Sequence, residues 1–416
     1  MITAKPFKIC KNLVMDAYKA VKANAGSAGV DKQSIKDFEQ NLKDNLYKVW
    51  NRMASGSYFP PPVKAVPIPK KTGGKRILGV PTVSDRIAQM VVKMMFEPNV
   101  ESVFLSDSYG YRPGKSALDA IGVTRSRCWQ YSWLLEFDIK GLFDHIEHHL
   151  LIKAVRKQTD NKWIILYIER WLKAPLQRED GTLIERTKGT PQGGVISPVL
   201  SNLFLHYVFD VWMKVHYPNN PWCRYADDGL AHCRTLKEAE ALKAALQERF
   251  AQCGLEMHPT KTKIVYCKDQ KRSGDYPNTK FDFLGYTFRA RVVRTRKTNQ
   301  NFVSFNPAVS KSAQKSMKKE TWRRGFRNRS ELSIEDISKM YNPVLQGWYN
   351  YYGKYHSSEL YLVFHHFNKT LSQWARNKYK HLKTSKDRTL RFLVKMAKMK
   401  PYLFVHWKKG ILYGFA

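Results

Sequence analysis

The segment WCRYADDGLAHC, residues 222–233, places two adjacent aspartates, Asp227 and Asp228, between two short apolar runs. Two such runs around a polar turn predict a β-hairpin with both acids at its tip. The apolar run YSWLLEFD, residues 131–138, predicts a buried strand that ends in Asp138. If these strands lie side by side in one sheet, the three acids can meet despite their separation in the sequence.

The remaining pattern mixes helices and strands without a regular strand–helix–strand alternation, which favours an α+β fold. Residues 58–81 alternate apolar residues around the basic tip Lys71–Lys75 and predict a hairpin whose prolines keep it at sheet edges. Residues 281–288, FDFLGYTF, are predicted as one strand. Helices are predicted at 10–24, 34–54 and 83–103, directly after Asp138, after the glycine-rich loop that begins at 189, at 236–253, and over most of the chain from about 305.

Charge is the unusual feature of the composition. The 416 residues contain 71 Lys and Arg but 35 Asp and Glu, a formal net charge of +36, while 43% of residues are hydrophobic and 13% aromatic. A globular protein so basic is expected to bind a polyanion. Aromatic residues between the basic ones favour nucleic acid over a membrane surface, and a basic scaffold of the ribosomal kind remains the alternative.

Nothing in the sequence predicts secretion or membrane insertion. No run of about 18 apolar residues is present, and the N-terminus lacks the apolar core of a secretion signal. The six cysteines form no C-x-x-C pair, so reduced thiols are expected rather than a zinc site or a disulfide framework. We therefore expect a cytoplasmic protein, and the resemblance described below implies a bacterial one.

The three acids suggest phosphoryl transfer. That chemistry uses two divalent ions about 3.5–4 Å apart, held by hard oxygen ligands. Asp138 lies at the end of a predicted strand, and Asp227 and Asp228 lie at a predicted hairpin tip. These three acids are therefore the candidate metal ligands. Tyr225-Ala226-Asp227-Asp228 taken alone is weak evidence, since a turn with two aspartates is usually only a turn.

The order of motifs strengthens this interpretation. The blocks FDIKGLFD, GTPQGGVISPVLSNLFL, YADD, GLEMHPTKTKIVYC and FDFLGYTF resemble, in the same order, the successive blocks of reverse transcriptases. Four more blocks are similar to the proteins encoded by group II introns, and together they extend the resemblance over nearly the whole chain. These blocks are NAGSAGVD, IPKKTGGKRILGVPTVSDRIAQ, SYGYRPGKSALDAI and QGWYNYYG.

The resemblance implies a right-hand polymerase with fingers, a palm built on an antiparallel sheet, and a helical thumb and maturase (X) region. It implies that Asp138, Asp227 and Asp228 are catalytic and bind two Mg²⁺ ions, for which Mn²⁺ could substitute, with the Ile139 carbonyl as a further ligand. Asp228 is expected to be the least indispensable of the three acids.

The resemblance also assigns the nucleotide-binding residues. Phe143 matches the steric gate that excludes a ribose 2′-hydroxyl, and Lys70 and Arg76 match the cations that clamp the triphosphate. Gln192 matches a loop residue beside the incoming nucleotide, and Lys261 a basic residue near nucleotide or primer. The pattern alone favours a core position for Phe143 and solvated surface positions for the three cations, and it fits an ordinary glycine turn at Gln192 as well as a binding loop.

We expect fingers and palm over residues 1–290, with an N-terminal extension to about 57, and the thumb and maturase region over 291–416. From residue 289 onward the chain has 28 Lys and Arg but six acids.

The partners that the resemblance implies are an RNA template, a DNA primer, dNTPs, intron RNA and a DNA target, without a membrane. The oligomeric state stays open. The chain is similar to the subset of these proteins that lack an endonuclease.

Two other functions stay open. One is a relative without an intron that serves host DNA repair or phage defence with the same active site. The other is an RNA-binding splicing factor with an inactive polymerase, which the presence of all three acids and Phe143 disfavours. Retron and diversity-generating enzymes share the central blocks, but the NAGSAGVD block and the basic C-terminal third argue against them.

Overall fold

A computed structural model describes residues 5–69, 73–294 and 299–412. The helices in chain order are α1 Lys11–Ala23, α2 Ile35–Gln40, α3 Leu42–Ala54, α4 Val83–Val103, α5 Ala117–Gln130, α6 Leu142–His145, α7 His148–Gln158, α8 Lys162–Lys173, α9 Ser197–Leu205, α10 Val211–His216, α11 Leu236–Gln252, α12 Lys311–Arg323, α13 Ile334–Tyr352, α14 Tyr361–Lys378 and α15 Lys386–Met399. The strands are β1 Val63–Pro69, β2 Lys75–Val80, β3 Trp133–Asp138, β4 Leu176–Gln177, β5 Leu183–Ile184, β6 Trp222–Tyr225, β7 Asp228–Cys233, β8 Lys263–Tyr266, β9 Lys280–Phe283, β10 Tyr286–Arg294 and β11 Asn301–Val309. The α+β prediction is confirmed.

The chain forms two compact units. The first comprises Met1–Ala120 and Leu135–Ile264, and the second Ile121–Leu134 and Val265–Ala416. This division follows contacts within the chain. The functional boundary that we place near residue 290 stays a prediction.

The first unit contains a four-stranded sheet in the order β2-β1-β4-β5 and most of a second sheet in the order β6-β7-β3-β8. In the first of these, β1 pairs with β2 on one side and with β4 on the other, so the expectation that its prolines keep the hairpin at a sheet edge is wrong for β1. The pairing with β4 involves only Val63 and Lys64. Pro67 and Pro69 therefore lie beyond the second ladder, where their missing N–H groups cost nothing.

Phe137 lies at the centre of the core beneath the second sheet. Its ring centroid is 5.0 Å from that of Phe209 and 5.8 Å from that of Phe250, and all three side chains are buried. A Cβ atom added at Gly229 would lie 2.0 Å from Phe137 Cζ. The glycine after the two aspartates thus lets β7 pack directly on this ring.

The helix after Asp138 was predicted as continuous, and this prediction is wrong. The chain forms α6, breaks at Ile146 and Glu147, and then forms α7. The break arises because the loop at Gly189 binds here: the Gly189 N–H donates to the Ile146 carbonyl at 2.7 Å, and Glu147 forms a β-bridge with Lys188. A tertiary contact replaces local helix propensity.

The second unit contains the sheet β11-β10-β9 and the helices α12–α15. The single strand predicted at 281–288 is wrong, because Leu284 and Gly285 adopt φ of 50° and 79° and turn the chain between β9 and β10. Two successive residues with positive φ are typical of a tight hairpin turn. Residues 305–309, expected to be helical, belong to β11.

Side-chain caps begin several of these helices. Ser34, Thr235 and Ser333 each accept a hydrogen bond from the residue three positions on, whose carboxylate accepts from the capping backbone in return. In the described ranges no helix is long and apolar enough to cross a membrane. All six cysteines are free, as expected, and five of them are buried.

Candidate active site

The two adjacent aspartates lie at a tight turn, as the sequence predicts. Tyr225 pairs with Asp228 across the β6–β7 hairpin, so Ala226 and Asp227 form the turn. Ala226 has φ of 56°, a left-handed conformation that is uncommon for alanine. Asp138 is the last residue of β3, and β3 is the neighbour of β7 in the sheet. Adjacent strands therefore carry the three acids within the first unit.

The pKa values of the turn aspartates show that their negative charges repel. Burial raises the pKa of Asp227, and the charge of Asp138 raises it further. Burial, followed by the charges of Asp227 and Asp138, raises the pKa of Asp228 to about 7. Because an acid interacts this way only with a nearby charge, all three carboxylates lie within electrostatic reach of one another.

Lys261 partly compensates this negative charge. Its Nζ lies 2.9 Å from Asp138 Oδ2, and its charge lowers the pKa of both turn aspartates. The sequence placed Lys261 near a nucleotide or primer. In the structure it contacts the strand-end acid directly, while half of its side chain stays exposed.

The donor set fits a hard divalent cation. Carboxylate oxygens are the preferred ligands of Mg²⁺, and clustered carboxylates with raised pKa values indicate a place where positive charge would be stabilising. Within the described ranges, no three His, Cys, Asp or Glu side chains are arranged to hold a metal ion as they stand.

The Ile139 backbone lies beside these acids. The Asp138 carbonyl accepts from the His258 N–H at 2.8 Å, and the Lys140 N–H donates to the Glu256 carbonyl at 2.9 Å. These bonds flank the bridge between Ile139 and Met257. Neither of these two bonds uses the Ile139 carbonyl.

The glycine-rich loop 189–194 connects Phe143 to the β1–β2 hairpin. The Thr190 N–H donates to the Phe143 carbonyl at 2.7 Å, and the Gly79 N–H of β2 donates to the Gln192 carbonyl at 2.7 Å. A Cβ atom at Gly193 would lie 2.4 Å from the Gly79 carbonyl oxygen, so this close approach requires glycine. The structure thus brings Phe143 and Gln192 into one connected segment, with both residues partly accessible.

Arg76 and Asp227 both act electrostatically on Tyr111. Arg76 is an exposed residue of β2, in register with Ile68 of β1. The pKa of Tyr111 is raised by burial and by the charge of Asp227, and Arg76 lowers it. Tyr111 is therefore close enough to sense both groups. Lys70 lies outside the described residues.

Arg224, the residue before Tyr225, is functionally placed but was missed by sequence reasoning. It is fully buried, and its five N–H donors are all used. Nε and Nη2 bind Asp210 at 2.7 and 2.6 Å, Nη1 donates to Asn202 and to the Ala226 carbonyl at 3.0 and 3.1 Å, and Nη2 also reaches Ser108 at 2.9 Å. The guanidinium group thereby fixes the left-handed residue of the turn.

A π-helical turn between α9 and α10, His206–Asp210, ends at the partner of Arg224. Such turns shift the register of a helix by one residue and are frequent at functional sites. The predicted long helix does contain these residues, but its periodicity gives no sign of the shift. An arginine within an apolar run, three residues before Asp227, was the one signal available in the sequence.

Asp85 and Gln89 on α4 form a hydrogen-bond chain that ends at Val195, the residue after the glycine-rich loop. Asp85 is fully buried and accepts from the Tyr58 hydroxyl at 3.0 Å, Trp171 Nε1 at 2.7 Å and Gln89 Nε2 at 2.9 Å. Gln89 Oε1 in turn accepts from the Val195 N–H at 2.7 Å. Burial raises the pKa of Asp85 to about 6, although its hydrogen bonds oppose the shift.

Comparison with known proteins identifies the family. Residues 68–288 match the model of the reverse transcriptase (RNA-dependent DNA polymerase) family, more than half of the chain. The chain belongs to the reverse transcriptase family. Residues 314–392 of this reverse transcriptase match the group II intron maturase-specific domain, which confirms the predicted subfamily.

Relatives of this reverse transcriptase include Protein YkfC of Escherichia coli (strain K12), 30% identical over 315 residues, 65% of this chain and 77% of that protein. Group II intron-encoded protein LtrA of Lactococcus lactis subsp. cremoris is 33% identical over 213 residues, 48% of this chain and 34% of LtrA. The Putative COX1/OXI3 intron 1 protein of Saccharomyces cerevisiae is 31% identical over 210 residues, 50% of this chain and 25% of that protein. The matches thus span about a third of LtrA and a quarter of the yeast intron protein.

Among solved structures, telomerase from Candida albicans with a fragment of telomeric RNA aligns over 89% of this chain and 70% of that one. Its TM-score is 0.47 at 12% identity. The family assignment rests on the sequence matches alone.

Proposed function

We propose that this reverse transcriptase adds dNTPs to the 3′ end of a DNA primer along an RNA template, in a reaction that depends on two Mg²⁺ ions. The observation that carries the proposal is the cluster of Asp138, Asp227 and Asp228 on adjacent strands, with raised pKa values at the two turn aspartates. Mn²⁺ has the same preference for oxygen ligands and would substitute.

The three carboxylates would hold the ions, with the Ile139 carbonyl as a further ligand. Bound there, the ions supply activation of the primer hydroxyl and stabilisation of the leaving pyrophosphate. With the ions held by the acids, Lys261, which contacts Asp138 in this structure, would be available to contact the nucleotide or the primer. Arg224 keeps Asp227 and Asp228 at a fixed place through the Ala226 carbonyl.

The remaining predicted residues would select and hold the nucleotide. The Phe143 ring would stand where a ribose 2′-hydroxyl clashes with it and so favour dNTPs. Gln192 would lie along the incoming nucleotide, and Arg76 with Lys70 would bind the triphosphate. The hydrogen bonds of the glycine-rich loop to Phe143 and to β2 support a common binding surface for these groups.

A second activity is that of a maturase, which stabilises folded group II intron RNA for splicing and supports intron mobility to a DNA target. It is supported by the maturase-specific match at 314–392 and by the excess of basic residues from residue 289 onward. We assign fingers and palm to residues 1–290, and thumb and maturase region to 291–416. RNA binding by the basic surface should not depend on the three acids.

Primer extension tests the polymerase directly. The purified full chain is supplied with a DNA primer on an RNA template, with Mg²⁺, and with dNTPs or rNTPs in parallel. We expect extension with dNTPs and Mg²⁺, none with EDTA, and little with rNTPs. Equal extension with both nucleotide types, or extension in EDTA, would contradict the proposal.

A further inference from the structure

The QGWYNYYG segment of α13 lines a cleft in the second unit to which nothing above assigns a role. The cleft has a volume of about 350 Å³, which lies within the range of small-molecule sites, about 300–1,000 Å³. Its other wall is the irregular chain that follows α15. Among the described residues that line it, none is acidic, so a negatively charged ligand meets no repulsion there.

The two walls are held together by hydrogen bonds. Ser338 Oγ and Asn342 Nδ2 on α13 donate to the Leu403 carbonyl at 2.7 and 2.9 Å. Asn342 Oδ1 accepts from the Val405 N–H at 3.2 Å. The cleft is therefore formed before any ligand arrives, which lowers the entropic cost of binding.

Aromatic rings and ammonium groups form the rim. Tyr349 lies on the α13 wall and Tyr402 on the other, and Tyr402 is 76% exposed, the largest exposed fraction among the large apolar and aromatic side chains described. Lys409 Nζ lies 5.1 Å from the Tyr349 ring centroid, and Lys408 Nζ lies 5.5 Å from that of Tyr402. Aromatic rings stack with bases, and lysines beside them bind the phosphates that accompany a base.

Two side-chain amides lie at the same cleft. Gln346 Nε2 donates to Asn350 Oδ1 at 2.6 Å. This bond orients both amides and leaves Gln346 Oε1 as an acceptor and Asn350 Nδ2 as a donor. An acceptor beside a donor matches the hydrogen-bonding edge of a nucleobase.

We propose that this cleft binds a single unstacked nucleobase of an RNA, such as a nucleotide bulged from a stem. The base stacks on Tyr402 and Tyr349, its edge meets the amides of Gln346 and Asn350, and its flanking phosphates meet Lys408 and Lys409. This assignment rests on the RNA-binding part of the proposed function and names the feature of the RNA that is recognised.

The test compares two RNA duplexes of equal length, one with a single bulged nucleotide and one fully paired, by fluorescence anisotropy with the full chain. Wild type is expected to prefer the bulged duplex. Tyr402→Ala should weaken binding of the bulged duplex by about tenfold, since stacking contributes about 1–3 kcal/mol per base, and leave the paired duplex unchanged. Tyr402→Phe should retain the preference.

Two further variants are controls. One tests whether loss of any exposed tyrosine weakens RNA binding, and the other tests the contribution of the lysine charges. Tyr361→Ala removes an exposed tyrosine of α14 outside the cleft and should change neither affinity. Lys408→Ala combined with Lys409→Ala should weaken both duplexes, because phosphates flank paired and unpaired bases alike.

The outcomes distinguish the two levels of the proposal. If Tyr402→Ala weakens both duplexes equally, or neither, while primer extension and binding of the paired duplex persist, the assignment of the cleft is wrong and the proposed function stands. If wild type binds neither duplex, the RNA-binding function itself is contradicted.

Discussion

Arg224 and Asp210 form a fully buried ion pair, with Nη2 of the arginine 2.6 Å from Oδ2 of the aspartate, directly behind the turn that bears Asp227. The same guanidinium group donates to the Ala226 carbonyl. A buried charge pair is costly to desolvate and is seldom justified by stability alone. We interpret this pair as the support of the turn that bears the proposed catalytic aspartates.

Asp210→Asn should destabilise the chain by about 3 kcal/mol, because it leaves the Arg224 charge buried without its partner. The double variant Arg224→Met, Asp210→Leu should recover most of that loss, since apolar side chains of similar volume replace buried ion pairs well. It should still extend primers poorly, with a reduced kcat rather than a raised KM. Denaturant unfolding and steady-state extension measure the two effects, and a double variant with wild-type kcat would refute the positioning role.

Phe143→Ala should relax the choice of sugar. Removal of the ring opens room for a 2′-hydroxyl, so rNTP incorporation relative to dNTP should rise roughly tenfold or more, while dNTP extension persists. Phe59→Ala, which truncates a 70% exposed phenylalanine of the same unit, is the matched control and should not alter selectivity. Single-nucleotide incorporation assays provide the ratio. Unchanged selectivity in Phe143→Ala would mean that Phe143 is a packing residue.

His406 should make the second unit acid-sensitive. It is fully buried, its Nε2 lies 2.7 Å from Asn368 Oδ1, and burial lowers its pKa from 6.5 to about 3. Between pH 6.5 and 3 the unfolded chain binds a proton that the folded chain excludes. Stability from this group is therefore complete above pH 6.5 and falls with pH, by up to about 1.4 kcal/mol per pH unit.

The matched variant is His406→Gln, which cannot take up that proton. It should be less stable than wild type at pH 7 but lose less stability between pH 7 and pH 5. Chemical unfolding of the full chain, followed by circular dichroism at several pH values, measures both slopes. Parallel slopes for the two proteins would show that His406 does not control the acid sensitivity.

RNA binding should weaken steeply with salt. The formal net charge is +36, and each phosphate neutralised by Lys or Arg releases counterions. With about six to ten phosphate contacts, affinity should fall by about 10³–10⁵ between 50 and 200 mM salt, linearly on logarithmic axes. Anisotropy titrations at several salt concentrations test this, and a flat affinity would contradict binding through the basic surface.

The sequence predicted those parts of the site that depend on local pattern. Short apolar runs around a polar turn predicted the hairpin with Asp227, and a buried run ending in an acid predicted the strand with Asp138. The meeting of these strands could be expected but not deduced, because sheet order depends on long-range packing. Only the resemblance to reverse transcriptases suggested roles for Phe143 and Gln192.

The missed features share one cause, which is that tertiary contacts decide them. Gly285 resembles an interior residue of a strand until β10 folds back on β9. The break at Ile146 exists because the glycine-rich loop binds there. Asp210, the ion-pair partner of Arg224, lies at the end of a π-helical turn. The spacing of apolar residues in the sequence does not reveal that turn. Arg224 is a charged residue within the apolar strand β6. The sequence pattern shows that such a residue is unusual in a core, but it does not show which groups the residue contacts.

Primer extension by Asp227→Asn tests the central claim most directly. The substitution keeps the size of the side chain and removes the charge that a divalent ion needs. The control, Asp160→Asn, changes an exposed acid between α7 and α8. Asp227→Asn should give no detectable cDNA and unchanged RNA affinity by anisotropy, and Asp160→Asn should match wild type in both. Normal extension by Asp227→Asn would contradict the active site described above.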